Sequence, residues 1–404
     1  MKIVDQIRNQ QLLAPSDLLD ALTEAFPLIE RMAETPQEPE WHAEGNVRIH
    51  TERVIEELYG VLENEGADLA ASERLALILG AALHDIGKTL TTREEEREGK
   101  MRIVSPRHTE RGRSFCAPRM PILGLSGQEA KTVLSVIGRH HAPKSLVMRN
   151  APTSAWWRLS RSIEPRLIYL FELADMRGRD VAGGDDSEAF EILELYREGA
   201  KEAGVWRVTD PYADWRERIR GLVPETALDY VLSEAIRDFE VGRIFTPDEA
   251  VTRTFEHREN HGEVLVTCAP SGSGKSTWVE KNCADFERVS LDQIREELTG
   301  NRADQSKNGE VMQLAKERLR VGLRAKKRLV WDATTIRTDG RAMVIDLAHD
   351  YHAATRIVAF GCAPDLLLAR NRARKNPVQS KILERQLDRL QWPEIWEAHE
   401  VEMV

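Results

Sequence analysis

The stretch 269–277, which reads Ala-Pro-Ser-Gly-Ser-Gly-Lys-Ser-Thr, constrains the fold of this chain more than any other feature. The apolar, β-branched run 263–268 before it is typical of a buried strand, and residues 277–281 behind it begin a helical pattern. A strand, a glycine-rich turn, a Lys, a Ser and a helix in this order form a P-loop, in which backbone N–H groups cradle nucleotide phosphates. The motif therefore predicts that the chain binds a nucleoside triphosphate.

Each position of this motif carries an expected role. Lys275 should reach the β- and γ-phosphates, and Ser276 should bind Mg²⁺. The residues expected to contact ATP, or another nucleoside triphosphate, are Ser271, Gly272, Ser273, Gly274, Lys275, Ser276 and Thr277. The first position of the motif holds Ala269 instead of Gly, which the loop tolerates if the backbone φ angle there is negative.

Composition and charge narrow the class of protein. A length of 404 residues favours two or three domains, and the apolar content of 41% is ordinary for a globular protein. The 4 cysteines have no metal-binding spacing, which indicates reduced thiols and a cytoplasmic location. The chain starts without a signal-peptide pattern, and its longest apolar run, Leu75–Leu83, is too short to span a membrane. A net charge of −10 argues against a nucleic-acid coat protein but allows a local basic groove.

Hydrophobic periodicity separates a helical part of the chain from a mixed part. Residues 1–200 contain no convincing strand pattern, and the charged stretch Thr91–Lys100 is expected to be a solvated loop. From residue 263 onward, β-like runs at 263–268, 286–290, 328–332 and 356–360 alternate with helical patterns. The expected divisions are an N-terminal helical segment (1–35), an all-helical domain (36–203), a helical connector (204–258) and a P-loop domain (259–404), in which the segment Asn376–Val404 packs as helix. The predicted fold class is multidomain, α followed by α/β with a parallel sheet between helices.

The second strong signal is a set of histidines and aspartates centred on the adjacent pair His84 and Asp85. The pair ends a helix expected to be buried, and burying both groups unpaired would be costly. A single His is more often a packed or surface residue, so the evidence lies in the whole set. Its members are His50, His84, Asp85, His108, His140, His141 and Asp175. Histidine nitrogens with carboxylate oxygens suit a divalent ion such as Mn, Fe, Co, Ni or Zn.

This set resembles the HD-domain phosphohydrolases over residues 40–180. That resemblance implies that His50, His84, Asp85 and Asp175 hold one metal ion, with His108 and either His140 or His141 completing a second site. It also implies that Lys88 contacts the scissile phosphate. The phrases around His42, His84 and Asp175 look most like the HD module of bacterial tRNA nucleotidyltransferases. Because that module acts on 2′ and 2′,3′-cyclic phosphates, the likeness points to RNA ends.

Three further motifs lie beyond the P-loop. Residues 290–295, taken alone, indicate a helix N-cap at Ser290 or Asp292, with Gln293 closing a capping box from Ser290. The run 329–332 is a strand ending in Asp332, the usual position of a carboxylate that supports Mg²⁺. Arg370 and Arg374 have the spacing of one helix face, where they either clamp a transferring phosphoryl group or face solvent.

Together these motifs resemble the 5′-kinase domain of polynucleotide kinase–phosphatases over residues 262–375. By that resemblance Asp292 is the general base for a 5′-hydroxyl acceptor, Arg295 grips the neighbouring phosphate, and Arg370 with Arg374 forms the lid. An HD module ahead of such a kinase is the layout of the bacterial HD-domain polynucleotide kinases. The layout implies a bifunctional enzyme that heals RNA or DNA ends, using ATP with Mg²⁺ and one or two transition-metal ions. The chain shows no ligase motif, so a separate ligase is the implied partner.

Two other functions remain open at this point. One is a small-molecule or nucleoside kinase fused to an HD nucleotidase. The other is a nucleotide-sensing ATP switch without catalysis, against which the presence of Asp292 argues, since a sensor needs no general base. The sequence leaves open RNA versus DNA, the metal, the nucleotide donor, the oligomeric state and which of His140 and His141 is a ligand.

Overall fold

The computed structural model of the chain describes residues 2–302, 304–374 and 377–404. The chain divides into two compact units, Met1–Pro211 and Tyr212–Val404. The first unit is helical apart from one hairpin, and the second contains a parallel sheet flanked by helices. The predicted class, α followed by α/β, is therefore confirmed. The finer division into four parts stays a prediction.

Helices of the N-terminal unit follow the hydrophobic periodicity of the sequence. Apolar residues at helical spacing predict helices at Val47–Leu62 and Gly127–Arg139, and the structure has helices at Val47–Asn64 and Gly127–Arg139. The helices are α1 (Lys2–Arg8), α2 (Pro15–Leu22), α3 (Val47–Asn64), α4 (Ala71–Leu83), α5 (Lys88–Thr91), α6 (His108–Cys116), α7 (Met120–Leu123), α8 (Gly127–Arg139), α9 (Ala142–Met148), α10 (Thr153–Ser162), α11 (Pro165–Gly178) and α12 (Ser187–Glu202), with 3₁₀ turns at Pro27–Glu34 and Ala117–Arg119.

The core of this unit is formed where α3 packs on α11 and α4 packs on α8. Helix α4 is buried all round from Leu75 to Leu83, as its apolar run predicted. The contact between α3 and α11 is unusually close at Gly178, where an added Cβ would lie 2.8 Å from the backbone nitrogen of Val54. Only glycine allows this approach, which brings the facing side chains of the two helices together.

A β-hairpin occupies the stretch that was expected to be a solvated loop. Strand β1 (Arg93–Arg97) pairs antiparallel with β2 (Lys100–Val104), so the expectation of no strand in this region is wrong. The two-residue turn between them has positive φ angles at both Glu98 and Gly99, which suits the twist of a hairpin. The strands carry charged residues and are largely exposed, so neither shows the apolar alternation by which strands are recognised.

The C-terminal unit contains a five-stranded parallel sheet. Its strands are β3 (Glu263–Cys268), β4 (Glu287–Ser290), β5 (Arg328–Asp332), β6 (Ala354–Ala359) and β7 (Glu400–Met403), in the order β4-β5-β3-β6-β7. Its helices are α13 (Ala213–Arg220), α14 (Glu225–Glu240), α15 (Pro247–Arg253), α16 (Lys275–Asn282), α17 (Leu291–Thr299), α18 (Asn308–Arg324), α19 (Thr338–Asp350), α20 (Pro364–Arg372) and α21 (Ser380–Asp388). Strands β3 to β6 lie where the sequence predicted them.

Strand β3 lies at the centre of the sheet and is buried from Val264 to Cys268. It pairs in parallel with β5 and β6, so that Glu263 lies opposite both Arg328 and Ala354. Because parallel strands end at the same edge, the segments after β3, β4 and β5 meet at one edge of the sheet. This edge carries the P-loop.

The end of the chain differs from its prediction. The segment 376–404 was expected to be helical, but it contains helix α21 and then the edge strand β7, which pairs with β6 through Arg356 and Glu400. Residue 376 itself lies outside the described residues. A four-residue strand whose pairing depends on β6 has too short a pattern to identify alone.

Two expectations from composition can be compared with the structure. All 4 cysteines are free, in agreement with the predicted reduced thiols, and all are buried. Across the described ranges, no helix is both long and apolar enough to cross a membrane.

Candidate metal centre and phosphate-binding loop

Four side chains from three helical regions meet inside the N-terminal unit. Helix α3 carries His50, the turn directly after α4 carries His84 and Asp85, and α11 carries Asp175. The Nε2 atom of His50 lies 3.0 Å from Asp175 Oδ1 and 3.8 Å from Asp85 Oδ2. The Nε2 atom of His84 lies 3.3 Å from Asp85 Oδ2 and 3.5 Å from Asp175 Oδ1. All four residues are buried, so the structure brings together the first predicted ligand set.

The Nδ1 atoms of both histidines, which face away from the cluster, have contacts that fix the orientation of the rings. The Nδ1 atom of His84 lies 2.8 Å from the carbonyl oxygen of Ala81, and Nδ1 of His50 lies 2.9 Å from Glu44 Oε1. The Ala81 oxygen only accepts hydrogen bonds, so Nδ1 of His84 carries the proton and its Nε2 faces the cluster. Glu44 approaches Nδ1 of His50 at ion-pair distance, and the Nε2 atom of His50 faces Asp175. Histidines that bind metals are held in this way, with the far nitrogen donating to a carbonyl or a carboxylate.

These residues fit a metal ion. The Nε2 atom of His84 and the Oδ1 atom of Asp85 are buried, and neither has a hydrogen-bond partner among the described residues. Bonds of about 2.0–2.2 Å to one ion put neighbouring donor atoms roughly 3 Å apart, close to the spacing seen here. Burial alone would lower the pKa of His50, but Asp175 and Glu44 raise it to about 8. The site is therefore strongly anionic around His50 and favours a cation.

A second group of histidines lies on the other side of Asp85. Its Oδ1 atom is 3.3 Å from His108 Nε2 and 3.8 Å from His140 Nε2, and these two nitrogens are 3.3 Å apart. His108 Nδ1 faces the carbonyl oxygen of Ser105 at 2.9 Å, which again leaves Nε2 turned inward. His141 is exposed but also has a nitrogen within 4.8 Å of the other two. Asp85 thus faces both histidine groups, as a carboxylate shared by two ions would.

Glycine at position 87 makes the second group possible. An added Cβ there would lie 2.0 Å from the carbonyl oxygen of His108, so no other residue lets α6 approach the turn after Asp85. The adjacent Lys88 is buried, and its Nζ lies 2.7 Å from Asp85 Oδ2 and 2.6 Å from Gln37 Oε1. The ammonium group predicted to face a scissile phosphate is therefore beside the candidate metal ligands.

Sequence reasoning missed two acidic residues of this centre. Glu44 Oε1 lies 2.9 Å from Nδ1 of both His42 and His50, and these contacts help to hold its pKa well below the ordinary range although burial opposes this. Glu172 lies on α11 in the helical turn before Asp175, and burial together with that carboxylate raises its pKa well above the ordinary value. The signals were local: Glu44 lies between two histidines, and Glu172 shares a helix face with Asp175.

The P-loop has the predicted strand–turn–helix structure. Gly272 and Gly274 have φ angles of +89° and +97°, which only glycine adopts without strain. Ala269 is outside the left-handed region, so its methyl group is tolerated as expected. Lys275 begins α16, Ser276 and Thr277 are exposed in its first turn, and Ser271 and Ser273 lie in the turn before it. The backbone thus presents the N–H groups of a helix start toward an anion.

Asp332 ends β5 beside this loop. Its Oδ1 atom lies 3.7 Å from Lys275 Nζ and is buried, with no hydrogen-bond partner in the described part of the chain. Its Oδ2 atom accepts a hydrogen bond of 2.9 Å from Arg288 Nε on the neighbouring strand β4. Arg288 was not anticipated from the sequence. Its contact leaves one oxygen of Asp332 directed to the phosphate side, where Mg²⁺ support was expected.

Asp292 and Arg295 form a pair after β4. The Asp292 side chain is 68% exposed and accepts a hydrogen bond of 2.6 Å from Arg295 Nη1, whose own side chain is buried. Helix α17 is capped by Ser290, whose hydroxyl faces the Gln293 N–H at 3.5 Å. The capping alternative therefore describes Ser290, and Asp292 is left as an exposed carboxylate at the edge that carries the P-loop.

The two lid arginines are not equivalent. Arg370 Nη1 donates to the carbonyl oxygen of Ser273 in the P-loop at 3.3 Å. Arg374 was expected on the same helix face, but α20 ends at Arg372, so that prediction is wrong. The chain turns here because the Asn371 side chain binds both backbone groups of Val378, at 2.7 and 2.9 Å. Lys375, also assigned to this helix, lies outside the described residues.

A third contact to the P-loop comes from α21. The backbone N–H of Ser271 donates to Gln386 Oε1 at 2.8 Å. Gln391, just after α21, contacts the segment that follows β5 in the chain: its Oε1 atom accepts a hydrogen bond of 2.9 Å from the Thr338 N–H. No sequence motif identifies these glutamines, because their partners lie far away in the chain. The segment after α20 therefore closes over the P-loop side of the sheet.

Comparison with known families agrees with these two sites. Residues 47–175 match the model of the HD domain, and this range includes His50, His84, Asp85 and Asp175. Residues 264–393 match the model of an AAA domain, AAA_33, and this range includes the P-loop. No curated protein matches the chain. The chain thus contains an N-terminal HD domain, typical of metal-dependent hydrolases, followed by a P-loop domain of the kinase-like AAA_33 family.

Proposed function

We propose that this protein is a bifunctional nucleic-acid end-healing enzyme. Its P-loop domain transfers the γ-phosphate of ATP to 5′-hydroxyl ends of RNA or DNA, and its HD domain removes 2′-, 3′- or 2′,3′-cyclic phosphates. The two family matches support the coarser statement, that one chain joins two phosphate-handling domains. The observation that carries the finer proposal is the Asp292–Arg295 pair, because a nucleotide switch needs no acceptor site.

On the kinase side, each residue acts through its position. Lys275 lies at the start of α16 and binds the phosphates of ATP, with Mg²⁺ held by Ser276 and supported by Asp332. The exposed carboxylate of Asp292 removes the proton of the acceptor hydroxyl. The guanidinium of Arg295, anchored through Asp292 and the carbonyl oxygen of Arg302, binds the acceptor's neighbouring phosphate. Arg370, already against the P-loop backbone, neutralises charge on the transferring group.

On the hydrolase side, the protein arranges ligands and a counter-charge. His50, His84, Asp85 and Asp175 would hold one divalent ion, and His108 with His140 or His141 would hold a second. Such ions supply a nucleophile at neutral pH and neutralise phosphoryl oxygens. Glu44 keeps the Nε2 atom of His50 directed to the ligand set. Lys88 adds a positive charge where the phosphate of the substrate would lie.

The proposal includes cofactors and partners. The kinase uses ATP, or another nucleoside triphosphate, with Mg²⁺, and the histidine-rich centre favours Mn, Co, Ni, Zn or Fe. The substrates are RNA or DNA ends in the cytoplasm, and sealing requires a separate ligase.

A single substrate tests both activities. An oligonucleotide with a 5′-hydroxyl and a 3′-phosphate is incubated with ATP and either Mg²⁺ or Mn²⁺, and both ends are analysed. The proposal expects 5′-phosphorylation with Mg²⁺ alone and 3′-phosphate release only with a transition metal. Faster phosphorylation of mononucleosides than of the oligonucleotide would favour a nucleoside kinase. If the protein bound ATP but showed neither activity, a nucleotide switch would be favoured.

A further inference from the structure

A loop that precedes the HD match closes over the candidate metal centre. This closed loop (residues 36–46) has its ends joined by a bridge between Pro36 and Asn46. Two backbone hydrogen bonds hold it to the chain after α11, from Ala43 N to Asp180 O at 2.8 Å and from Ala182 N to Glu40 O at 3.1 Å. Compact loops with adjacent ends are frequently functional. The HD family match begins at residue 47, so the closed loop lies just before the matched range.

One residue of the closed loop reaches into the centre. Gln37 is 5% exposed, and its Oε1 atom lies 2.6 Å from Lys88 Nζ. A lysine ammonium only donates hydrogen bonds, so the oxygen of the amide must face Lys88 and the amide nitrogen must face away. The orientation of Gln37 is therefore set by chemistry and is independent of how the two amide atoms are assigned.

The amide nitrogen of Gln37 lacks an acceptor. It is buried and has no hydrogen-bond partner among the residues that the structure describes. The three carboxylates of the closed loop have other partners: Glu38 accepts from Arg102 and the Ile103 N–H, Glu40 accepts from Arg102, and Glu44 contacts His42 and accepts from the Asp180 N–H. A buried donor without a partner is costly, so an acceptor supplied by a bound molecule would stabilise it.

The neighbourhood defines the chemistry of that molecule. The Nζ atom of Lys88 lies 2.6 Å from Gln37 Oε1 and 2.7 Å from Asp85 Oδ2. Because both amide atoms of Gln37 are bonded to one carbon, a ligand at Nε2 lies close to this ammonium group, which in turn contacts the candidate metal ligand Asp85. A group that accepts from an amide, pairs with an ammonium and binds a metal is an anionic oxygen of a phosphoryl group.

We propose that Gln37 binds a phosphoryl oxygen of the HD-domain substrate through Nε2 while its Oε1 positions Lys88. This inference rests on the proposed function only in that the HD domain handles a phosphorylated substrate. It adds a substrate-binding residue that lies outside the matched HD range.

The test measures phosphate binding directly. With the P-loop saturated by ADP, inorganic phosphate is titrated into the full-length, Mn²⁺-loaded protein by calorimetry, and bound Mn²⁺ is counted separately. Gln37→Glu keeps an acceptor for Lys88 but replaces the donor by a second anionic oxygen. We expect it to weaken phosphate binding by roughly 10- to 100-fold with unchanged Mn²⁺ stoichiometry. Gln37→Leu, similar in size and uncharged, should weaken it as well and serves if the Glu variant misfolds.

The matched control is Gln128→Glu, which makes the same change at an exposed position on α8. Phosphate affinity of Gln37→Glu equal to that of the control would overturn the inference, as would a parallel loss of Mn²⁺. If the parent protein bound phosphate and Gln37→Glu weakened it, but oligonucleotide ends were not processed, the end-healing function would fail and the role of Gln37 would stand. Absence of phosphate binding in the parent would overturn both.

Discussion

The Nε2 atom of His50 lies 3.0 Å from the Oδ1 atom of Asp175, although 125 residues separate them in the chain. Their helices approach closely because position 178 is a glycine, where a Cβ would meet the Val54 backbone nitrogen at 2.8 Å. The geometry of the metal centre therefore depends on a residue that binds nothing itself.

Gly178→Ala should push α11 away from α3 and weaken metal binding. Overpacking at such a contact costs about 1–3 kcal/mol, and the separated ligands should lower Mn²⁺ affinity roughly 10-fold or more. Denaturant unfolding and Mn²⁺ titration measure the two effects. The control is Gly60→Ala on α3, where an added Cβ meets nothing within 4 Å. It should be neutral or slightly stabilising, since alanine is the better helix former. Equal metal affinity in both variants would contradict the role of Gly178.

Asp85→Ala and Lys275→Ala should separate the two activities. Asp85 faces both histidine groups, so its loss should reduce phosphate release to below about one hundredth of the parental rate while 5′-phosphorylation continues. Lys275→Ala should do the reverse, because Lys275 lies in the P-loop. End analysis of one oligonucleotide with each variant measures both outcomes. Full release of 3′-phosphate by Asp85→Ala would rule out the assignment of the metal ligands.

Asp292→Ala should abolish acceptor activation without loss of ATP binding. The side chain is largely exposed and its contact is to Arg295, so the fold should tolerate the change. Loss of a general base lowers the rate by roughly 10²–10⁴-fold. Ser290→Ala is the control on the same helix: it removes the cap at a cost of about 0.5–2 kcal/mol and should leave the chemistry largely intact. Comparable rates of 5′-phosphorylation in the two variants would indicate that Asp292 has only a structural role.

The sequence predicted the elements whose pattern is local and strong. Helices α3, α4 and α8 have long apolar faces, and the P-loop is defined by spacing alone, so all lie close to their predicted positions. The candidate ligand residues could also be identified from the sequence, because the His84–Asp85 pair directly follows an apolar run. Elements and candidate ligands that a local sequence pattern identifies were therefore predictable.

Features that depend on distant partners were not predictable. The edge strand β7 exists because β6 lies beside it, and the charged hairpin β1–β2 has no apolar alternation. The contacts of Gln37 with Lys88 and of Gln386 with Ser271 join segments that no motif relates. The end of α20 before Arg374 depends on the Asn371–Val378 hydrogen bonds, which helical spacing does not reveal.

Stability of the C-terminal unit should depend on pH through Glu234. Burial opposes ionisation of this carboxyl, but His399, at 3.2 Å, and Arg237 outweigh it and lower its pKa. Because the pKa of Glu234 is lower in the folded than in the unfolded protein, its ionisation stabilises the fold. This stabilisation is complete at pH values above the unfolded pKa, about 4.3, and is lost as the pH falls through the folded pKa. Glu234→Gln should cost about 1–3 kcal/mol at pH 7, and the difference should narrow below about pH 4.

Urea unfolding of both proteins across this pH range measures the effect. Glu256→Gln, at an exposed position, is the control and should cost less than about 0.5 kcal/mol. A cost for Glu234→Gln that stayed constant with pH would show that the carboxylate charge contributes nothing.

Arg370 and Arg374 should differ as lid residues. Arg370 already contacts the P-loop through the Ser273 carbonyl oxygen at 3.3 Å, whereas Arg374 is exposed beyond the end of α20. Arg370→Lys keeps the charge but loses the planar fork, so kcat should fall roughly 10-fold or more with little change in ATP affinity. Arg374→Lys is the matched change. It should lower kcat less and mainly raise KM for the oligonucleotide, because an exposed guanidinium at this position would contact the bound oligonucleotide rather than the transferring phosphoryl group. Steady-state kinetics with both substrates varied separates these effects. Equal losses of kcat in the two variants would support the original prediction that both arginines act on the transferring phosphoryl group.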